Sequence, residues 1–158
     1  MSAAEMQRDV PGVVAPPPLI LLGFLLAGLA LDWLRPLPLL PAAAQYAIGG
    51  VLIALASAFA FSAIAWFLRA GTNVPTRRPA TALVTSGPYR ISRNPIYAGM
   101  ILLLLGIGAM VDSAWILAMA IPLALVLRYG VIAREERYLE AKFGDSYREF
   151  RARVRRWI

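Results

Sequence analysis

The 158-residue chain contains no cysteine and no histidine. Those absences exclude a thiol nucleophile, a Ser-His-Asp relay, a zinc finger and a histidine-ligated haem or iron centre. Any chemistry must come from carboxylates, arginines, tyrosines, hydroxyls, backbone groups or a bound organic cofactor, and no metal is expected. Charge is also scarce: 16% of the residues are Asp, Glu, Lys or Arg while 59% are hydrophobic, a balance too apolar for an ordinary soluble domain of this size. The expected class is an all-α integral membrane protein, folded as a single membrane domain over 1–158.

The charge that is present is lopsided, +7 at neutral pH. A basic chain can seek nucleic acid or an anionic membrane, and the placement of its charges decides between them. Most of the basic residues fall in two blocks, Arg69 to Arg93 and Arg128 to Arg156, that flank apolar runs as juxtamembrane segments do. Anionic membrane lipids are therefore expected partners, and nucleic acid is not.

Four apolar runs are long enough to be read as transmembrane helices: Pro18 to Leu34, Tyr46 to Leu68, Ile96 to Val111 and Ala114 to Ile132. The first could be a signal peptide, with Ala42-Ala43-Ala44 as a cleavage site, but the gap before that triplet holds Trp33, Arg35 and several prolines, so a retained span is the expectation. In the second run Ala54, Ala58 and Ser62 form a small-residue stripe that would admit a neighbouring helix. Only Asp112 and Ser113 separate the third and fourth runs, which predicts a tight antiparallel hairpin, and Pro122 should kink the fourth. The 69–95 linker carries Arg69, Arg77, Arg78, Arg90 and Arg93, against one aspartate in the hairpin turn, so linker and both termini are expected in the cytoplasm. Beyond Arg128 the fourth helix should run on into water and stop at Gly144. An interfacial helix is expected over 145–158, opened by a Ser146/Glu149 capping box and carrying Tyr147, Phe150, Val154 and Trp157 as an apolar stripe among arginines.

The linker is too long and too rich in turn residues to be a minimal connection, and it ends in Gly87-Pro88-Tyr89-Arg90-Ile91-Ser92-Arg93-Asn94-Pro95. Asn94 is a good helix N-cap and Pro95 suits the first helical position, which alone could explain the pair. Arg134, Glu135 and Glu136 could likewise be a solvated helix face. If the last two spans are paired, however, Tyr89, Arg93 and Tyr97 would face Glu136 across a pocket suited to a ligand bearing both a cation and an anion.

The string GPYRISRNPIYAG, followed after one hairpin by REERYLEAKFGDSYREFRARVRRW, resembles the isoprenylcysteine carboxyl methyltransferase-like family, which includes bacterial phospholipid methyltransferase-like members. Its pattern, G-x-Y-x-x-x-R-(H/N)-P-x-Y-x-G, then E-E-x-x-L, then F-G-x-x-Y, occurs here in order over roughly the second half of the chain. The resemblance implies S-adenosylmethionine as methyl donor at the cytosolic ends of the last two helices and a lipophilic small-molecule or lipid acceptor entering from the bilayer. It also implies a bacterial inner-membrane location. Tyr89, Arg93, Asn94, Pro95, Tyr97, Gly99, Glu136 and Leu139 would then bind cofactor, with Arg134 and Glu135 serving catalysis. Asn94 stands where eukaryotic members carry histidine, so prenylcysteine is not assigned as the substrate. Two other readings are an NADPH-dependent reductase of the membrane sterol-reductase type, against which the short linker and small size argue, and a non-catalytic membrane scaffold or transport accessory.

Overall fold

The computed structural model describes residues 10–73 and 78–158, and among these every regular element is helical. Helix α1 is Pro17–Leu34, α2 Ala42–Arg69, α3 Pro95–Met110, α4 Ala114–Phe143 and α5 Asp145–Arg153, with a 3-10 turn at Gly87–Arg90. Three of them, α1, α2 and α4, are long and apolar enough to cross a membrane. The remaining apolar helix, α3, has 16 residues, about 24 Å at 1.5 Å per residue against a hydrocarbon core of about 30 Å. Helix α2 begins at Ala42, ahead of the expected Tyr46, because the alanine triplet is itself a strong helix former. Arg77, counted in the charge argument above, lies outside the described residues.

Helix α4 is not uniform. Its first segment ends at Ala118, one turn before Pro122, and the next begins at Ala120. The proline has no N–H to offer the Ala118 carbonyl, and this places the kink. From Leu127 to Ile132 the helix widens into a π-turn before resuming as Ala133–Phe143.

The helices lie side by side in the order α1–α4–α3–α2, each antiparallel to the next. Val14 donates its N–H to Gly130 O at 3.2 Å, Gly28 meets Ile116, and Asp32 accepts from Ser113 Oγ at 2.7 Å, so α1 runs down α4. Tyr97 meets Glu135 and Gly108 meets Ile116, which pairs α3 with α4. The α2–α3 seam is closer still. A Cβ on Gly49 would stand 2.9 Å from Gly106 O, one on Gly106 3.0 Å from Ile53 N, and one on Gly99 3.0 Å from Ala56 O. The seam on α2 is thus Gly49, Ala56 and Ala63, all buried, whereas Ala54 and Ala58 of the expected stripe are exposed on another face. Two small-residue stripes run along this helix, and spacing alone does not say which meets a partner.

At the far end of the bundle Asp112, with φ of 54°, accepts from the N–H groups of Leu39 and Leu40 and from Gln45 Nε2, tying the α1–α2 loop to the α3–α4 turn. At the near end Gly144 (φ +53°) breaks the chain between α4 and α5, as a residue without a Cβ can. Gly144 itself holds the N-cap position of α5, so the expected Ser146/Glu149 capping box does not form. Helix α5 stops at Arg153, and Val154 is extended. The apolar stripe expected to meet lipid is covered by the protein: Tyr147 and Phe150 are buried with Ala63, Val84 and Tyr89, and Val154 lies against them. Trp157 reaches the other core cluster, around Tyr97, Leu104 and Ile132.

Candidate active site

The antiparallel order collects the C-terminal parts of α2 and α4 and the start of α3 at one end. There the linker, the 3-10 turn and α5 close around a cavity of about 860 Å³ including its open mouth. The 3-10 turn is set by Gly87, whose φ of +63° favours glycine and where a Cβ would collide with the Trp66 indole. That turn buries Tyr89 edge-on against Phe67, with ring centroids 5.3 Å apart. Tyr89, Arg93, Asn94, Pro95, Tyr97, Glu135, Glu136 and Leu139 all stand in the cavity lining.

Arg134 and Gly99 do not. The Arg134 guanidinium turns outward and donates to Gly12 O at 2.7 Å, and Gly99 faces α2 in the helix seam.

At the heart of the site one carboxylate meets two guanidinium groups. Glu136 Oε1 accepts from Arg156 Nε at 3.0 Å and pairs with Arg93 Nη2 at 3.2 Å, while Oε2 accepts from Arg156 Nη2 at 2.6 Å. Both Glu136 and Arg93 have side chains about nine-tenths buried, where charge is tolerable only when paired. Hydrogen bonding to Glu136 raises the Arg156 pKa above its ordinary value. Arg93 is not satisfied by this arrangement: its Nε and Nη1 are buried without a hydrogen-bond partner. Such atoms are costly to leave bare, and an anionic group is the chemical partner that would satisfy them.

Asn94 occupies the N-cap position of α3 but makes no side-chain cap. Its Nδ2 instead donates to Arg156 O at 3.0 Å, beside Arg93 N–H to Arg155 O at 3.0 Å and Ser92 Oγ to Arg156 O at 3.3 Å. The SRN segment therefore clasps the C-terminal tail and aims Arg156 at Glu136. Farther along, Tyr97 OH donates to Glu135 Oε1 at 2.6 Å. Burial drives the Tyr89 phenol well above its usual pKa, with Glu135 adding to the shift. Tyr147 is pushed up to about 12, chiefly by burial, with Glu136 adding and Arg93 opposing.

Sequence reasoning missed Arg156, Tyr138, Tyr147, Phe150, Phe67 and Pro11. Arg156 is one arginine among many in the tail, and only the fold shows that its main chain is gripped by Asn94. Tyr138, next to the recognised Glu-Glu pair, accepts from Ala80 N–H at 3.0 Å and pins the linker over the cavity.

Apolar helices, three of them long enough to cross a bilayer, with a buried ionic cavity at one end, define a membrane protein. The phospholipid methyltransferase family model matches residues 44–146, and the chain belongs to that family. Among curated proteins it is similar to the cobalt-zinc-cadmium resistance protein CzcN of Cupriavidus metallidurans, 42% identical over 69 residues, 43% of this chain and 32% of that protein. The nickel-cobalt-cadmium resistance protein NccN of Alcaligenes xylosoxydans xylosoxydans is 37% identical over 77 residues, 49% of this chain and 36% of its own. An uncharacterized protein of Haemophilus influenzae is 59% identical over 34 residues, 22% of this chain and 54% of its own. The matches thus span about a third of the two resistance proteins and about half of the third. No solved structure matches the chain.

Proposed function

We propose that the chain is an S-adenosylmethionine-dependent methyltransferase of a lipophilic acceptor, working at the cytosolic boundary of a bacterial inner membrane with α3 as a fourth, short span. The observation that carries this reading is the buried Arg93, with two unpaired nitrogens, in an aromatic pocket that also holds two carboxylates, within a chain of the phospholipid methyltransferase family. The donor set suits a zwitterion that also carries a ring. When bound, S-adenosylmethionine supplies an electrophilic methyl group on a sulfonium. Arg93 would hold its carboxylate, Tyr89 and Tyr97 would cover the cation or the adenine, and Pro95 and Leu139 would form apolar walls. Asn94 and Glu136 hold the clasp that keeps Arg93 and the tail in place.

Glu135, oriented by Tyr97, stands where it could take the proton released by an amine or hydroxyl acceptor. A carboxylate acceptor would need no base, only orientation and exclusion of water. The arginines at the cavity end, including Arg69, Arg78, Arg90 and Arg93, against Arg35 with Asp32 and Asp112 at the other, support a cytosolic site. The names of the two resistance proteins bring no metal site with them: this chain has no histidine or cysteine, and its described residues hold no group of three or more Asp or Glu able to take a metal ion.

Melting the detergent-solubilised protein with S-adenosylhomocysteine and, separately, with NADPH tests the proposal. At about a hundredfold excess over Kd a ligand of the folded state adds ~2.7 kcal/mol, and we expect S-adenosylhomocysteine alone to do so. Stabilisation by NADPH alone would indicate a reductase, and by neither, a scaffold.

A further inference from the structure

Upstream of α1, and outside the family match, residues 10–16 form an irregular strap, bent at Gly12 (φ +60°), that crosses α4 at its π-turn and the turn after it. Val14 N–H donates to Gly130 O at 3.2 Å, inside the π-turn, and the Val14 side chain sits over that glycine, where a Cβ would come within 2.8 Å of Val14 Cγ2. One turn farther on, Arg134 Nη1 donates to Gly12 O at 2.7 Å. Between them Val13 packs against the core cluster of Tyr97, Leu127 and Val131. Pro11, next along the strap, lines the cavity.

The two ends of the cavity differ. Glu136, Arg93 and Arg156 are gathered by the SRN segment and the tail. Followed back from apolar α1 the strap climbs α4 away from the spans, Val14 at Gly130 and Gly12 one turn later at Arg134, so Pro11 stands at the outer mouth of the cavity, on the helix face next to the one that carries Glu135. An acceptor seated beside Glu135 would rest against this wall. Building on the methyl-transfer reading, we propose that Pro11 is a specificity-determining wall on the acceptor side of the pocket and that Arg134 is the positioning residue that latches it. Arg134 then acts through the strap, not on the reacting atoms.

The test uses the full chain and tritiated S-adenosylmethionine, with bacterial polar lipid extract as the acceptor probe. Losing a charged donor to a carbonyl costs roughly tenfold or more. Arg134→Gln is expected to raise the half-saturating lipid concentration about tenfold while leaving S-adenosylhomocysteine affinity within about twofold, and Arg134→Lys, which keeps a donor, should restore most of the loss. Unchanged half-saturation, or equal losses for lipid and S-adenosylhomocysteine, would overturn the proposal.

A second measurement needs no turnover. Because the chain lacks cysteine, Pro11→Cys offers a single thiol, and its labelling by a maleimide should be slow with Arg134 intact and several-fold faster in the Arg134→Gln background. Equal rates would sink the latch even in a protein that methylates nothing. Failure of wild type to bind S-adenosylhomocysteine would instead remove the methyl-transfer reading, leaving the labelling rates to judge the strap.

Discussion

At Glu136 a single carboxylate pairs with two guanidinium groups, and its removal leaves Arg93 buried beside the partly exposed Arg156 with no counter-charge. Breaking a buried pair from one side costs about 3–5 kcal/mol. Glu136→Ala should therefore lower the melting temperature of the solubilised protein by several degrees and weaken S-adenosylhomocysteine binding in calorimetry. Unchanged affinity would take Glu136 out of the site. Tyr147 supports a pH prediction. Its phenol ionises near 10 when unfolded and at about 12 in the fold, so the folded state binds more protons in that window. The stability it contributes is complete below pH 10 and lost as pH climbs toward 12. Stability should fall across this interval, and Tyr147→Phe should make the decline shallower; an identical alkaline slope in the variant would contradict the assignment.

Among the elements, the α2–α3 seam decides whether the cavity keeps its walls, because Phe67 comes from α2 and Tyr97 from α3. Gly106→Leu places a side chain where even a Cβ finds Ile53 N at 3.0 Å. It should cost about 1–3 kcal/mol or more through overpacking, whereas Ala54→Leu, on an exposed face, should leave the melting temperature nearly unchanged. The reverse order would mean that the other stripe is the buried one. This seam also shows how far the sequence could be read. Long apolar runs announce spans by length, and Pro122 announces a kink, because both are local properties of the chain. Which stripe of α2 meets a neighbour is tertiary, and so is the use of Asn94 to hold Arg156 instead of capping α3. The motif strings brought Tyr89, Arg93, Tyr97 and the Glu135-Glu136 pair into view. Pro11 and Arg156, contributed by segments that carry no pattern of their own, could not be seen before the chain was folded.

For the molecule as a whole, antiparallel packing puts the strap, the linker, the π-turn and the tail at one end, where most of the basic residues also gather, and leaves Asp32, Asp112 and, among the described residues, a single arginine, Arg35, at the other. Orientation follows if positive charge stays on the cytosolic side. In intact cells an impermeant maleimide should label Leu39→Cys and spare Arg148→Cys; the opposite pattern would turn the molecule over in the membrane. The claim beneath the rest is that Arg93, short of partners inside an aromatic pocket, waits for the anionic end of S-adenosylmethionine. Calorimetric titration of the purified protein with S-adenosylhomocysteine tests it most directly. One saturable site is expected, weakened at least about tenfold by Arg93→Gln through loss of a charged hydrogen bond and unaffected by Arg148→Gln on the surface. Absence of binding, or equal affinity in the Arg93→Gln protein, would contradict it.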